Sequence, residues 1–457
     1  VLIGLNMLIK PAWLVVENMV QDQIGHSRFG TFSALFNFAF IFAVLADLGI
    51  NQFIARKLAS SETDRQHTLK HSFAIKLFLL VASPLIITFV GWLLGYQGDK
   101  VWFLFVIAFM HSLIQLFLLF RSWFQAAQMF VTDAFASIIE KVLLLGIVVV
   151  WMQYGIDQEE FIYARFWSIF IGCLLVLWAA YRYLGDVTPK WEGKRINWLL
   201  QKSFPFAIIA FLYSIHERID LVILERISGE NASGLYTGAY RLLDAVMMYL
   251  WTILPAFFAR FAFYRKDPAR QQKVFELGHT IAFLPMAFVS LFVFFYGDKL
   301  LFLFTNSTRI ELDTMTMTMK ILFIAVFIQG LSALYSTLLT STGYERQTAI
   351  MVTGSIILNI VLNLLFIPRY GVYAAAWSTV LCHTLLFVLY AWYIAKRTNV
   401  SLPWDLLMKL GLITIGMALV FGLSTFYSFH WIIISALALI AGIIPVLVLR
   451  LLVHKEV

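Results

Sequence analysis

The sequence predicts an all-α polytopic membrane protein of about fourteen transmembrane helices. Three observations predict it. Hydrophobic residues fill 61% of the 457 positions and charged residues only 13%, against about 45–50% and about 25% in soluble domains. The apolar residues gather in fourteen blocks of helix length, each near the ~20 residues that one membrane-spanning helix needs. The blocks do not alternate and are about twice the ~9–11 residues of a barrel strand, so helices rather than a closed barrel are expected.

In chain order, block 1–20 carries Lys10 and Glu17. Block 31–55 closes on a polar run, Asp47-Leu48-Gly49, Asn51-Gln52 and Arg56-Lys57, which reads as an interfacial helix end or as a cytoplasmic gate. Blocks 72–95 and 101–120 are parted by Gly95-Tyr96-Gln97-Gly98-Asp99, a turn by composition. Block 134–153 contains Glu140 and Lys141, and block 161–184 contains Arg165. The connection 185–203 is basic, with Trp191, Trp198 and Leu199 among Lys and Arg. It suits either a segment on the headgroups or a solvated linker. Block 204–224 holds His216-Glu217-Arg218-Ile219-Asp220, and block 234–259 holds Arg241 and Asp244. Blocks 277–297, 318–341, 348–367 and 373–395 complete a second set of six, and 406–427 with 431–449 form a final pair.

Loop charge orients the bundle. With the N-terminus cytoplasmic, 21 Lys and Arg fall in inner loops and 6 in outer ones: Arg28, Lys100, Arg226, Lys299, Arg309 and Arg369. That bias places both termini in the cytoplasm. It also accounts for the net charge of +8 without nucleic acid as a partner.

The two sets of six look like repeats. At an offset of 204, Gly30 meets Gly234, Phe32 meets Tyr236, Ala34 meets Gly238, and Arg56 meets Arg260. At 210, Ala164-Arg165-Phe166-Trp167-Ser168 meets Ala374-Ala375-Ala376-Trp377-Ser378. Six spans separate the copies, so both keep one orientation. Such repeats place a site at their interface, near the midplane. The expected division is therefore a lobe 1–184, a basic cytoplasmic linker 185–203, a lobe 204–395 and a pair of helices over 396–457.

No GxSxG, HExxH or Walker lysine loop occurs, so a transporter is expected rather than an enzyme. No cofactor is implied, and a coupling ion, Na+ or H+, stays open. Cys173 and Cys382 lie in apolar blocks and form neither a disulfide framework nor a CxxC site. His111, His216 and His383 have no metal-ligand spacing and read as packing histidines.

Ionisable residues inside spans carry the functional signal, since a charge at the bilayer centre costs at least ~2.5–3.5 kcal/mol and seeks a bundle interior or an aqueous cavity. Arg218 and Arg241 can share a depth on successive spans. Glu217 and Asp220, like Arg241 and Asp244, are i, i+3 on one face. One reading is an ion-pair network that joins helices. The other is a cationic site in which guanidinium forks bind phosphate, with Lys10 and Arg165 as further cations. Glu217, Asp220, Asp244 and Glu140 would balance charge or carry the coupling ion. Asp47, Arg56 and Arg260 would form a cytoplasmic gate, or Arg56 and Arg260 merely anchor the inner face.

Three blocks carry a family resemblance. Gly30-Thr31-Phe32-Ser33 through Asp47-Leu48-Gly49-Ile50 to Arg56 is one. Arg218-Ile219-Asp220 with Gly234-Leu235-Tyr236-Thr237-Gly238-Ala239-Tyr240-Arg241 is the second. The third is Gly343-Tyr344-Glu345, Asn359-Ile360-Val361-Leu362-Asn363 and Ile367-Pro368-Arg369-Tyr370-Gly371 onward. They resemble the bacterial polysaccharide-unit flippases of the Wzx type, in the superfamily that also holds lipid II flippases and MATE exporters. The resemblance implies two six-helix lobes forming a V. It implies an undecaprenyl-diphosphate-linked oligosaccharide as cargo, moved to the outer leaflet of the bacterial cytoplasmic membrane by alternating access. Membrane lipids and polysaccharide polymerase machinery are the partners it implies. A lipid II flippase and a MATE-like multidrug exporter are the alternatives; the arginines argue against the exporter.

Overall fold

The structure, a computed structural model, describes residues 2–58, 65–423 and 430–449, with side chains described except at 2–8, 10, 11, 55–58, 65–67, 126 and 209. The order is α1 (Leu2–Ile24), α2 (His26–Phe42), a 3-10 turn (Ala43–Ala46), α3 (Ile50–Leu58), α4 (Arg65–Leu93), α5 (Asp99–Ala126), α6 (Phe130–Tyr154) and α7 (Gln158–Leu184). Then come α8 (Gly193–Ser228), α9 (Glu230–Phe263), α10 (Pro268–Tyr296), a 3-10 turn (Gly297–Leu301), α11 (Arg309–Ser341), α12 (Glu345–Tyr370), α13 (Val372–Arg397), α14 (Trp404–Gly422) and α15 (Trp431–Val448). Among the described residues there is no strand. Twelve helices there are long and apolar enough to cross a membrane. The sequence's two other apolar blocks are α1 and α8, so the fourteen blocks each have a helix. The chain is a multi-pass membrane protein.

Two expectations need correction. The block 31–55 is not one helix: α2 starts at His26, and the backbone breaks at Asp47-Leu48-Gly49. Leu48 (φ 50°) and Gly49 (φ 75°) are both left-handed, which no continuing helix tolerates. Further, the connection 185–203 is a loop only as far as Glu192. From Gly193 it is the first part of α8. Helix formers such as Lys, Arg, Leu and Gln favour that extension, and Ile196 and Leu199 bury one side of it.

Contacts divide the chain into two units, Val1–Gly234 and Leu235–Val457. The boundary lies inside α9, since α8 packs against α2 and α3. The six-helix lobes and the 185–203 division remain a proposal from the repeats. In the first unit, α5 packs against α4 and α7, and α6 packs against α7 and α1. Phe73, Phe120, Trp123 and Phe161 are among the residues of the core that results. Phe73, Phe120 and Trp123 meet edge to face, with centroids 5.2–5.8 Å apart. In the second unit α11 packs against α10 and α13, while α14 and α15 pack on α10 through Leu410, Met417 and Val446. Small residues line α13 where it meets α12. Ala375, Ala376 and Ser378 are buried, and the Cys382 thiol donates to the Ser355 carbonyl at 3.4 Å. Side chains of this size let membrane helices approach closely.

Candidate functional site

The break after α2 is held by a charge that the sequence pattern hides. Lys76, on α4, is buried. Its Nζ lies 2.5 Å from Asp47 Oδ1 and donates to the carbonyls of Ala46 at 3.2 Å and Gln115 at 3.4 Å. Asp47 Oδ1 in turn accepts the backbone N–H of Asn51 at 3.1 Å. The pair thus serves both sides of the break, taking a carbonyl left over by the 3-10 turn and an N–H left over by α3. The Asn51 amide closes the group by donating to Gln115 Oε1 at 3.1 Å. Asp47 is buried with Lys76. A Cβ at Gly49 would fall 2.3 Å from the Ser203 carbonyl oxygen and 2.6 Å from the Ala207 nitrogen. Only glycine lets the break rest on α8, beside Pro205.

Arg165 has a different setting. Its guanidinium pairs with Glu17 of α1. It sits 5.0–5.2 Å from the ring centroids of Trp13, Phe32, Phe36 and Phe161, within cation–π range. Its Nε is buried without a hydrogen-bond partner. Nearby, His111 Nε2 lies 3.2 Å from the Phe36 carbonyl, and its ring packs 4.6 Å from that of Phe36. That is the packing role expected for this histidine.

Where α2 meets the start of α9, the two backbones touch. A Cβ at Gly30 would lie 1.9 Å from the Glu230 carbonyl oxygen, and a Cβ at Gly234 would lie 1.9 Å from the His26 carbonyl oxygen. The partners exchange at the repeat offset: 26 pairs with 234 as 30 pairs with 230. This is the reciprocity of a twofold contact. Gln21 Nε2 seals it by donating to the Gly234 carbonyl at 2.8 Å. Beside the crossing, Lys100 Nζ lies 2.6 Å from Glu230 and 3.5 Å from Glu225. Ser27 donates to Glu230 at 3.2 Å, and the Arg226 guanidinium lies 3.4 Å over Tyr96. Arg28 reaches Asp157, the N-cap of α7, at 2.5 Å. Partial burial pushes the Asp157 carboxyl up, but the Gln158 N–H and the Arg28 guanidinium outweigh it and hold it below its ordinary value.

The residues singled out by sequence are distributed as follows. Arg218 is half-buried on α8, with Phe40 of α2 5.7 Å from its guanidinium carbon. Asp220 is buried, and His216 and Glu217 are half-buried; all four are engaged with neighbours. Arg241 is buried on α9, Asp244 is half-buried, and both are engaged. Arg218 belongs to the first unit and Arg241 to the second. Glu140 pairs with Lys141 at 3.1 Å. Arg260 is exposed. The side chains of Lys10 and Arg56 lie outside the described residues.

The sequence did not single out Lys76, Gln21, Glu225 or Glu230. Lys76 sits inside an apolar block, and its partner is 29 residues away; only its charge within a span could have flagged it. In the second unit, the Gln329 amide lies 2.7 Å from His383 Nε2. Asn363 donates to Asn359 at 2.9 Å, both buried. Each unit also has an aromatic groove. One, of about 470 Å³, is lined by Trp102, Phe105, Tyr163 and Trp167. The other, of about 650 Å³, is lined by Phe366, Tyr370, Tyr373 and Trp377. Tyr163 and Trp167 correspond to Tyr373 and Trp377 at the offset of 210. Among the described residues, no cluster of three or more His, Cys, Asp or Glu could hold a metal ion.

Comparison with known proteins places this architecture. Solved structures share the fold at low identity. The lipid II flippase MurJ, in an inward closed conformation, superposes with a TM-score of 0.75 at 14% identity, over 97% of this chain and 98% of its own. An inward-facing multidrug resistance MATE family transporter gives 0.70 at 13%, over 83% and 93%. A MOP superfamily transporter from Pyrococcus furiosus gives 0.63 at 14%, over 86% and 93%. No curated protein matches the sequence. The MatE family model matches residues 205–365. The model described as polysaccharide biosynthesis protein matches residues 1–265, more than half of the chain. The chain therefore belongs to the polysaccharide biosynthesis protein family, with a fold like that of the MATE transporter and the lipid II flippase.

Proposed function

We propose that the protein is a flippase for polyprenyl-diphosphate-linked oligosaccharides. It moves them from the inner to the outer leaflet of a bacterial cytoplasmic membrane, with both of its own termini cytoplasmic. One observation carries the reading: the polysaccharide biosynthesis family match, joined to a MurJ likeness that extends over 97% of the chain. The MATE likenesses cover 83–86% of it.

The chemistry fits this cargo. A diphosphate and its sugars need shelter from hydrocarbon, and guanidinium forks bind phosphate with paired, charge-assisted hydrogen bonds. Arg218 and Arg241 are the residues for that role, with Lys10 adding a point charge. Arg165, already paired with Glu17, contributes field rather than an open fork. Glu217, Asp220, Asp244 and Glu140 would balance the site between cargoes or carry a coupling ion, Na+ or H+. Asp47, Arg56 and Arg260 would gate the cytoplasmic side. Headgroup binding drives alternating access when its affinity differs between the two open states. Polymerase machinery would receive the delivered unit.

The test is the lipid-linked glycan that accumulates in cells lacking the protein. Arg218→Gln or Arg241→Gln should reproduce that accumulation at near-normal protein abundance, and Lys at either position should rescue only in part. If instead neutralising Asp220 or Asp244 alongside restores export, the arginines hold helices together rather than cargo. The fit to MurJ favours lipid II as the second cargo. Restored growth of cells depleted of their own lipid II flippase would decide for it.

A further inference from the structure

We propose that the junction of α7 and α8 is a binding surface for anionic phospholipid headgroups. The inference starts from α4. Phe78, Val81, Leu85, Phe89 and Trp92 recur at helical spacing on its exposed side, a stripe that only lipid would cover in a membrane protein. From Phe78 to Trp92 the stripe is 14 residues, or about 21 Å, within a hydrocarbon core of ~30 Å. Its two ends therefore lie toward the two headgroup layers. Trp191 packs against Phe78, at one end, with ring centroids 6.1 Å apart. Trp191 is 59% exposed and Trp198 38% exposed, so both present rings at headgroup level, where tryptophan concentrates.

The charge around those rings is basic. Lys190, Lys194, Arg195 and Lys202 are exposed. The two acids of the segment are turned to local partners, Asp186 to Lys70 and Glu192 to Lys190 at 2.7 Å, His71 at 3.3 Å and Arg195 at 3.5 Å. The opposite face is fixed to the unit. Val187, Ile196 and Leu199 are buried, the Lys190 N–H donates to the Lys70 carbonyl at 3.2 Å, and Trp198 packs on Phe53 at 5.7 Å. A solvated linker would have no such anchorage. The result is a rigid shelf of cations and indoles held at the membrane surface, which suits a lipid bearing negative charge.

The test reads the two tryptophans directly and is independent of the cargo and of membrane orientation. Nanodiscs with alike leaflets are made from phosphatidylcholine, with brominated phosphatidylglycerol or brominated phosphatidylcholine at equal mole fraction. The emission of the protein minus that of its W191F/W198F variant isolates Trp191 and Trp198. Brominated phosphatidylglycerol should quench that difference about twofold more than brominated phosphatidylcholine. The preference should vanish at ~1 M salt, where the Debye length is ~3 Å, and in the variant K190Q/K194Q/R195Q/K202Q. Salt removes it without altering the fold. Equal quenching by both lipids overturns the proposal, and so does quenching by neither, which would put this face in water or against a protein. A preference that survives the four substitutions also overturns it.

Discussion

Positions 165 and 375 stand one repeat offset apart, on helices that carry matching Tyr and Trp residues into an aromatic groove. At the first position α7 carries Arg165, paired with Glu17 and walled by four rings. At the second α13 carries Ala375, fully buried among small residues that close on α12. The sequence repeat pairs these two positions, whereas the means of joining the helices is not shared. In the first unit a desolvated ion pair and cation–π contacts do it; in the second, close approach does.

The largest expected effect breaks the charged side of this comparison. Arg165→Gln leaves Glu17 in an apolar setting without its cation, at a cost of ~3–5 kcal/mol. The variant should lose most of its abundance and unfold earlier in detergent. Glu17→Gln combined with Arg165→Gln should recover most of the loss. Lys76→Met and its combination with Asp47→Asn should follow the same pattern, since Lys76 is buried more deeply than Arg165. A single variant as stable as the parent would show that the pair does not hold α1 to α7. The next effect probes the small-residue side. Ala375→Leu overpacks a fully buried position on α13 and should cost ~1–3 kcal/mol, read as an earlier thermal transition. No partner substitution of the charge-neutralising kind should relieve it.

The smallest effect belongs to an exposed pair, Arg28 with Asp157. Such pairs contribute ~0–1 kcal/mol, so Asp157→Asn should shift stability little near neutral pH. The Asp157 carboxyl titrates below its unfolded value of 3.8. Its contribution is therefore complete above that value and is lost as pH falls through the lower folded one. Unfolding curves of parent and variant should converge below about pH 4. Convergence at higher pH would place the effect on another group.

Much of the fold was legible in the sequence, because membrane solvation demands long apolar helices and the loop charges mark their ends. Each of the fourteen blocks contains helix in the described residues, with 31–55 divided between two helices. The polar run from Asp47 was visible, but the backbone break at 47–49 was not, because a second helix resumes at Ile50. The left-handed backbone there depends on Lys76 and on α8, which lie far away in sequence. The extent of α8 was hidden for the opposite reason: charged residues read as a linker although they are good helix formers. Within the site, Arg165 and Asp47 were visible as charges in spans. Glu17 was visible too, but its pairing with Arg165 was not, and Lys76 went unnoticed, since these pairs are set by helix packing rather than by spacing. The glycine pair 30 and 234 was visible as an alignment; that its members meet each other's helix could come only from coordinates.

The length of α8 has a consequence of its own. Its 36 residues extend about 54 Å, well beyond a hydrocarbon core of ~30 Å. If the surface proposed above binds headgroups, one end is moored there by Trp198 and its neighbours, and the charged stretch at 216–220 lies further along the same rod. A helix moored in this way cannot answer a change in bilayer thickness by sliding. It must tilt or bend, and Pro205 is the weakest point in its ladder. Hydrophobic mismatch would then be converted into an angular displacement of Arg218, so lipid chain length becomes a mechanical input to the protein.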